Sequence, residues 1–254
     1  MKYLIFLDID GTLLARGGVP SRTLTAIQKA VDEGHFVFIN TGRSKGNVPF
    51  SHLKDVPLTG IVAGLGAYIE MEGEVLFSHA MPKDEIAFAM QVADDIGTGL
   101  VLEGEDMLLD YLPEQLDPHW VSNRPAVESV EDMERRFPDL RVSKISFTKP
   151  LSPEAAERLS ARLGVISHPT YAEIFSKGFS KATAMDFLKA RLNIADDHVI
   201  AMGDSLNDVS MLEAAGTGIA MGNAREDVKA MGFPLCGCND EDGVARYIDE
   251  HILR

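Results

Sequence analysis

The chain has few cysteines, few aromatic residues and a shortage of basic side chains. The chain of 254 residues has one tryptophan and two cysteines. Two cysteines are too few for a disulfide framework or a cysteine-rich zinc site. Lysine and arginine total 24 against 39 aspartates and glutamates, which gives a formal net charge of −15. Nucleic acids and anionic membrane surfaces both select clustered basic side chains. The charge balance therefore argues against both kinds of partner.

Long apolar runs are also missing. No stretch approaches the roughly 20 apolar residues that a membrane-spanning helix requires. The apolar run near the N-terminus is short and is interrupted by Asp8, unlike a secretion signal. Cys236 and Cys238 are expected to be reduced thiols. We expect a cytoplasmic protein that binds neither nucleic acid nor membrane and exists as a monomer or weak homodimer.

Strand-like and helix-like segments alternate toward both ends of the chain, which predicts an α/β fold. Short apolar runs typical of buried strands occupy residues 3–7, 36–39, 60–63 and 199–202. Residues 81–177 have a different, mixed pattern of short strands and helices. We therefore predict one α/β domain, residues 1–80 and 178–254, with an α+β domain, residues 81–177, inserted into it.

Polar clusters follow three of these apolar runs. They are Asp8 with Asp10, Thr41 with Arg43, and Asp204 with Asn207 and Asp208. Ligands of parallel α/β sheets bind beyond the carboxyl ends of the strands. The three clusters are therefore expected to converge on one crevice.

The first cluster places two carboxylates one residue apart at the end of a strand. Residues two apart on a strand face the same side, so Asp8 and Asp10 are expected to project together. Like charges about 4 Å apart repel by about 4 kcal/mol at an effective dielectric near 20. Such a pair favours a bound cation or a proton on one carboxylate. The alternative is an Asp-Gly turn in which both acids are solvated.

The third cluster and a lysine before it have competing interpretations. If a helix begins at Asp204, then Asp204 and Asp208 share one of its faces. The simpler alternative is that Asp204 or Ser205 only caps a helix. Lys181 is expected in a first helical turn, where the helix dipole disfavours a cation. A nearby phosphate or carboxylate would offset that cost, and the alternative is a solvated surface lysine.

Together these segments resemble the four motifs of the haloacid dehalogenase (HAD) superfamily of phosphatases. The segments are Asp8-x-Asp10-Gly11-Thr12-Leu13, Thr41-Gly42-Arg43, Lys181 and Gly203-Asp204-Ser205-x-Asn207-Asp208. The inserted domain is similar to the large α/β (type IIB) cap of the Cof-type subfamily. The resemblance implies a Rossmann-like, parallel-sheet catalytic core and a cap that selects the substrate. Residues 65–67 depart from the family, reading Leu-Gly-Ala where Asn-Gly-Ala is common.

The resemblance further implies a Mg²⁺-dependent phosphatase that hydrolyses small phosphorylated metabolites through an aspartyl-phosphate. Sugar phosphates are the expected substrates, by family analogy alone. Asp8 would be the nucleophile, and Asp10 the general acid and then the general base. Thr41 and Lys181 would complete the catalytic set.

The same resemblance assigns the binding roles. The phosphate would contact Asp8, Thr41, Gly42, Lys181 and Asn207. Mg²⁺ would be held by Asp8, the backbone carbonyl of Asp10, and Asp204. Asp208 would orient the groups that bind the metal and the phosphate without binding either itself. Arg43 would either help in the same way or be structural. A phosphomutase or phosphotransferase could use the same motifs, and a non-enzymatic regulatory protein is the remaining alternative.

Overall fold

The computed structural model describes residues 2–253 of the chain. Its strands are β1 (Leu4–Leu7), β2 (Phe36–Asn40), β3 (Gly60–Ala63), β4 (Tyr68–Met71), β5 (Glu74–Ser78), β6 (Leu100–Gly104), β7 (Leu108–Tyr111), β8 (Ala126–Val127), β9 (Val142–Phe147), β10 (Leu163–Ser167), β11 (Ala172–Ser176), β12 (Val199–Gly203) and β13 (Thr217–Ala220). Its helices are α1 (Ser21–Asp32), α2 (Phe50–Leu53), α3 (Lys83–Ile96), α4 (Val130–Arg136), α5 (Pro153–Ser160), α6 (Lys181–Leu192), α7 (Val209–Ala214), α8 (Glu226–Lys229) and α9 (Gly243–His251).

These elements form two compact units. The first consists of Met1–Gly42, Pro49–Phe77 and Ser180–Arg254, and the second of Arg43–Val48 and Ser78–Phe179. The short segment Arg43–Val48 therefore groups with the inserted part of the chain, although the sequence pattern predicts it within the α/β domain. No helix in the range 2–253 is both long and apolar enough to cross a bilayer.

The first unit is built on a seven-stranded sheet in the order β13-β12-β1-β2-β3-β4-β5. Neighbours from β13 to β3 are parallel, and β4 pairs with β3 in the antiparallel sense. Every residue of β1 and β12 is buried, because parallel strands covered on both faces require apolar side chains throughout. The predicted α/β fold with a parallel sheet is confirmed.

The strand order brings the polar clusters to one edge of this sheet. β1 lies between β12 and β2, with Leu7 paired to Met202 on one side and to Ile39 on the other. Parallel strands end at the same edge of a sheet, so the residues that follow β1, β2 and β12 are neighbours. The chain thus collects Asp8, Thr41 and Asp204 from three distant parts of its sequence.

The second unit is a six-stranded sheet in the order β10-β11-β9-β6-β7-β8. Its pairs are antiparallel except for β7 with β8, which is parallel. Alternate residues of β6 and β9, among them Leu102 and Ile145, form an apolar core with helices α3, α4 and α5. The opposite face includes the polar residues Glu103, Lys144 and Ser146 together with the apolar Val101.

Candidate active site

The turn after β1 carries the first pair of acids. β1 ends at Leu7, as its apolar run predicts, and the Asp8 N–H still pairs with the Met202 carbonyl at 3.1 Å. That the Asp8 and Asp10 side chains project together stays a prediction. Asp8 is 5% exposed, whereas Asp10 is exposed. Gly11 has a φ of +78° and sits so close to Asp204 that a β-carbon on it would be 2.3 Å from Asp204 Oδ2. Glycine is required here both for its backbone angle and for its lack of a side chain.

Lys181 lies at the centre of the site and is completely buried. It is the first residue of α6, which Ser180 and Thr183 cap reciprocally. Lys181 Nζ donates a hydrogen bond of 2.6 Å to Asp8 Oδ1 and another to Asp208 Oδ1. The carboxylates expected beside this cation are therefore present, and the solvated surface lysine is ruled out.

The charges in the site shift one another's pKa values. Burial alone would lower the pKa of Lys181, but the Asp208 and Asp8 carboxylates outweigh it and raise that pKa above its usual range. Burial raises the pKa of Asp8 to about 8, reinforced by Asp208 and opposed by Lys181. Burial likewise raises the pKa of Asp204 to about 7, with Asp208 adding to the effect. One ammonium does not balance these acids, so a further cation would favour their ionised forms.

Asp208 is held by the backbone of its own loop. Its Oδ2 accepts hydrogen bonds of 2.9 Å from the N–H groups of Asp204 and Ser205. A 3₁₀ turn, Leu206–Asp208, precedes α7 and has Ser205 at its N-cap, so of the two interpretations the capping role of Ser205 is confirmed and no helix begins at Asp204. Gly203 makes room for this return, since a β-carbon there would lie 2.5 Å from Asp208 Cβ. The Asp208 side chain thus helps to cap the turn and also presents an oxygen to Lys181.

The acids form a donor set suited to a hard divalent cation. Carboxylate oxygens of Asp8, Asp204 and Asp208 lie within 4.8 Å of one another. Both Asp208 oxygens already accept hydrogen bonds, whereas Asp8 Oδ2 accepts none from the described residues. Among residues 2–253, the one hydrogen bond that the Asp204 carboxylate accepts is long, 3.4 Å from Thr12 Oγ1. Oxygen donors of this kind suit Mg²⁺ or a similar ion, and of the three carboxylates those of Asp8 and Asp204 are the less occupied by hydrogen bonds.

The end of β2 is tied to the start of α6. Thr41 is buried, and its N–H donates to the Val62 carbonyl at 2.9 Å. Asn40 Nδ2 donates to the Lys181 carbonyl at 3.0 Å, while Asn40 Oδ1 has no hydrogen-bond partner within the described chain. Thr41 and Gly42 therefore follow a strand whose last residue is fixed to the backbone of Lys181.

The remaining predicted residues differ in their surroundings. Asn207 Oδ1 accepts a hydrogen bond of 2.9 Å from Ser205 Oγ. The Arg43 guanidinium donates to the Asn47 carbonyl at 3.2 Å, and both residues belong to the second unit. The Asp10 carboxylate is not among the three grouped carboxylates. Metal binding by the Asp10 backbone carbonyl stays a prediction.

Two asparagines that were not predicted as site residues bind the turn after β1. Asn223 Nδ2 donates to the Gly11 carbonyl at 2.7 Å, and Asn239 Nδ2 donates to the Leu14 carbonyl at 2.7 Å. The Asn239 N–H in turn donates to Asn223 Oδ1 at 2.8 Å. Both asparagines lie outside the four motifs, so the motifs do not indicate these contacts.

The family departure at residue 65 falls on a strained backbone position. Leu65 adopts φ 56° and ψ 37°, a left-handed conformation that asparagine tolerates better than leucine. Gly66 follows with φ +92°, and a β-carbon on it would lie 2.4 Å from the Ser180 carbonyl oxygen. The turn thus keeps its left-handed shape without asparagine, while the buried Leu65 side chain supplies apolar contact instead.

A family model of haloacid dehalogenase-like hydrolases matches residues 5–248. The chain belongs to this family. It is 30% identical to the 5-amino-6-(5-phospho-D-ribitylamino)uracil phosphatase YitU of Bacillus subtilis, over 98% of this chain and 97% of the relative. It is 27% identical to the pyridoxal phosphate phosphatase YbhA of Escherichia coli, over 98% of each. A HAD subclass IIB sugar phosphatase of known structure matches with a TM-score of 0.83 and 28% identity, over 97% of this chain and 98% of that one. This HAD protein is accordingly a phosphatase, an enzyme that hydrolyses phosphate monoesters.

Proposed function

We propose that this HAD phosphatase is Mg²⁺-dependent, forms an aspartyl-phosphate on Asp8, and hydrolyses phosphate esters of small polar metabolites, sugar phosphates foremost. The observation that carries the proposal is the buried Lys181, whose ammonium group donates to both Asp8 and Asp208. This contact orients one carboxylate oxygen and leaves the other without a donor in the described chain. A buried, oriented carboxylate of this kind is suited to nucleophilic attack.

In the first step Asp8 Oδ2 attacks phosphorus, and the bond from phosphorus to the ester oxygen breaks. Asp8 Oδ1 stays on Lys181, which holds the carboxylate in one orientation. Asp10 is exposed on the same turn and donates its proton to the departing alkoxide, which leaves as the alcohol. The products are the free alcohol and the phosphorylated Asp8.

In the second step Asp10, now a carboxylate, takes a proton from water. The resulting hydroxide attacks phosphorus, the bond to Asp8 breaks, and inorganic phosphate leaves. Asp8 is regenerated as a carboxylate beside Lys181, and Asp10 carries the proton needed for the next cycle.

The phosphoryl group needs local positive charge because the protein carries a net charge of −15. Lys181 supplies one charge, and we assign phosphate contacts to Thr41, Gly42 and Asn207. Asp8, the Asp10 carbonyl and Asp204 would hold Mg²⁺, which neutralises charge on the transferring phosphoryl oxygens when bound. Asp208 keeps Lys181 charged and in place from behind.

The substrate class follows from the relatives taken together. They act on a phosphoribitylamino-uracil, on pyridoxal phosphate and on sugar phosphates, as their names state. The shared feature is a phosphate monoester on a small polar molecule. The inserted domain would select among such molecules. A cap of this size limits access to the site, so small metabolites are better candidate substrates than phosphoproteins.

The test is phosphate release from a panel of sugar phosphates, pyridoxal phosphate, nucleotides and one aryl phosphate. Each is measured with Mg²⁺, with a chelator, and with Asp8→Asn. We expect Mg²⁺-dependent release that Asp8→Asn abolishes. Alcohol formation without inorganic phosphate, and dependent on an added acceptor, would instead identify a phosphotransferase.

The intermediate has its own test. In Asp10→Asn the aryl phosphate, whose leaving group needs no proton, should still phosphorylate Asp8, while hydrolysis slows. Acid quenching followed by peptide mass analysis should then find phosphate on the peptide that contains Asp8. An unmodified peptide during turnover would contradict the covalent route.

A further inference from the structure

The chain leaves the first unit immediately after the residues assigned to phosphate binding. Gly42 is the last residue of the N-terminal part of the first unit. Arg43–Val48 belongs to the second unit, and the first unit resumes at Pro49. Thr41 and Gly42 are therefore joined directly to a segment that packs elsewhere. Contacts that hold Arg43–Val48 therefore act on the chain immediately after Thr41 and Gly42.

One carboxylate, Glu103 on β6, binds this segment. Its Oε2 accepts hydrogen bonds from the Ser44 N–H at 3.4 Å and from Asn47 Nδ2 at 3.3 Å. Its Oε1 accepts from Ser146 Oγ at 2.6 Å and pairs with Lys144 Nζ at 3.2 Å. Glu103 is 1% exposed, so these contacts are shielded from water. The same side chain thus joins the segment to two strands of the sheet.

Backbone packing reinforces the attachment. A β-carbon on Gly46 would lie 2.7 Å from the Gly104 carbonyl oxygen and 2.9 Å from the Met107 nitrogen. The segment therefore lies directly on the β6–β7 connection, with no room for a side chain at this point. Hydrogen bonds and close packing act at neighbouring residues of the same short segment.

Glu103 belongs to a buried cluster of ionisable side chains that also contains Lys144, Glu173 and His168. Lys144 also donates to Glu173 Oε1 at 2.7 Å, and His168 Nε2 lies 3.0 Å from Glu173 Oε2. Buried ion pairs are often no more stabilising than apolar residues of the same size, and their best-attested use is to specify one arrangement. Glu103 binds the Arg43–Val48 segment, whereas the hydrogen bonds described for Glu173 within residues 2–253 go to Lys144 and His168.

We propose that Glu103 is a positioning residue for catalysis: it fixes Arg43–Val48 and, through the continuous backbone, the presentation of Thr41 and Gly42 to the phosphoryl group. The inference rests on the phosphate-binding role proposed above for these two residues. Every substrate of the enzyme carries the same phosphoryl group. Loss of the positioning should therefore lower the rate for all esters alike, whereas loss of a contact to the alcohol would affect them unequally.

The test compares Glu103→Ala with Glu173→Ala in the full chain. Both variants remove one carboxylate from Lys144, but only the first removes the acceptor for Ser44 and Asn47. Backbone hydrogen exchange at 41–48 should become at least about tenfold faster in Glu103→Ala, as expected for loss of a hydrogen bond to a charged group. In Glu173→Ala exchange at these residues should stay close to that of the unmodified enzyme.

Kinetics give the second measurement. In Glu103→Ala, kcat/KM should fall about tenfold by the same reasoning, and equally for sugar, pyridoxal and aryl phosphates. Glu103→Gln, which keeps an acceptor oxygen, should recover much of the loss. Asn47→Ala, which leaves the buried charges intact, should change exchange and rate in the same direction.

Three outcomes would overturn the proposal. One is unchanged exchange at Thr41 and Gly42 in Glu103→Ala, and another is an equal effect of Glu173→Ala. The third is a rate loss that depends on the alcohol. If the unmodified enzyme releases no phosphate from any ester, the proposed function fails, and hydrogen exchange alone then decides whether Glu103 restrains Thr41 and Gly42.

Discussion

A β-carbon placed on Gly11 would lie 2.3 Å from Asp204 Oδ2. This closeness joins the turn after β1 to the loop after β12, so the two acidic motifs are packed against each other without an intervening side chain. Asn223 secures the same turn by donating to the Gly11 carbonyl. The spacing of the carboxylates in the site therefore depends on a residue that has no side chain.

Gly11→Ala should reduce phosphatase activity by more than about 100-fold, since misplacing catalytic groups by about 1 Å has effects of this size. The control is Gly18→Ala, because Gly18 also has a positive φ, +101°, but nothing within 4 Å of the added carbon. Both variants should lose about 1 kcal/mol of stability from the backbone conformation. Phosphate release and thermal unfolding separate the two effects, and equal activity loss in both variants would argue against the contact with Asp204.

Lys181→Met should destabilise the protein by roughly 3–5 kcal/mol, because it leaves Asp8 and Asp208 buried without their cation. Adding Asp208→Asn should recover part of this stability by removing one of the uncompensated charges. Activity should not return in the double variant, since the nucleophile still lacks its orienting donor. Denaturant unfolding and phosphate release measure the two properties. Full recovery of activity would show that Lys181 matters only for stability.

Mg²⁺ should raise the melting temperature of the enzyme, because it binds the folded donor set and not the unfolded chain. At 100 times its dissociation constant the gain is about 2.7 kcal/mol. Asp204→Asn should abolish this shift, whereas Asp139→Asn, which removes an equal charge at an exposed position, should preserve it. A Mg²⁺-induced shift that persists in Asp204→Asn would place the ion elsewhere.

The buried cluster of the second unit should make its stability sensitive to acid. Burial would raise the pKa of Glu173, but Lys144 and the hydrogen bond from His168 outweigh it and lower that pKa to about 2 from 4.5. The folded state therefore prefers ionised Glu173 more than the unfolded chain does. This contribution, on the order of a few kcal/mol, is present above pH 4.5 and is lost as the pH falls toward 2.

Glu173→Gln should flatten the acid limb of the stability curve between these pH values. The matched control is Glu157→Gln on the exposed side of α5, which should leave the limb unchanged. Denaturant unfolding at several pH values, followed by far-UV circular dichroism, provides the measurement. An unaltered limb in Glu173→Gln would assign the acid sensitivity to other carboxylates.

Local sequence patterns predicted a large part of the fold. The apolar runs around Phe6, Phe38 and Met202 belong to buried parallel strands, because such strands need apolar side chains on both faces. Ser152 caps α5 ahead of Pro153, as a serine followed by proline predicts.

Local rules were less reliable at the site itself. They left open whether a helix begins at Asp204 or whether Asp204 or Ser205 only caps one, and the structure has a 3₁₀ turn with Ser205 at its N-cap. Both Asp8 and Asp208 meet Lys181 at the start of helix α6, far from either in sequence. Asp208 folds back onto two N–H groups of its loop while its other oxygen binds Lys181, a contact between residues 27 apart. Periodicity contains no information on contacts of this kind.

The sequence by itself determined the strand-forming runs, the order of the acidic and basic motifs and the family, because these depend on residue type and local spacing. Only the tertiary structure decided that Lys181 is buried between two carboxylates, that Asp10 is exposed while Asp8 is not, and that Glu103 binds a segment 59 residues earlier in the chain. Those outcomes depend on which elements pack together. Packing sets the burial and the hydrogen-bond partners of each charge, and these in turn control its pKa and its chemistry.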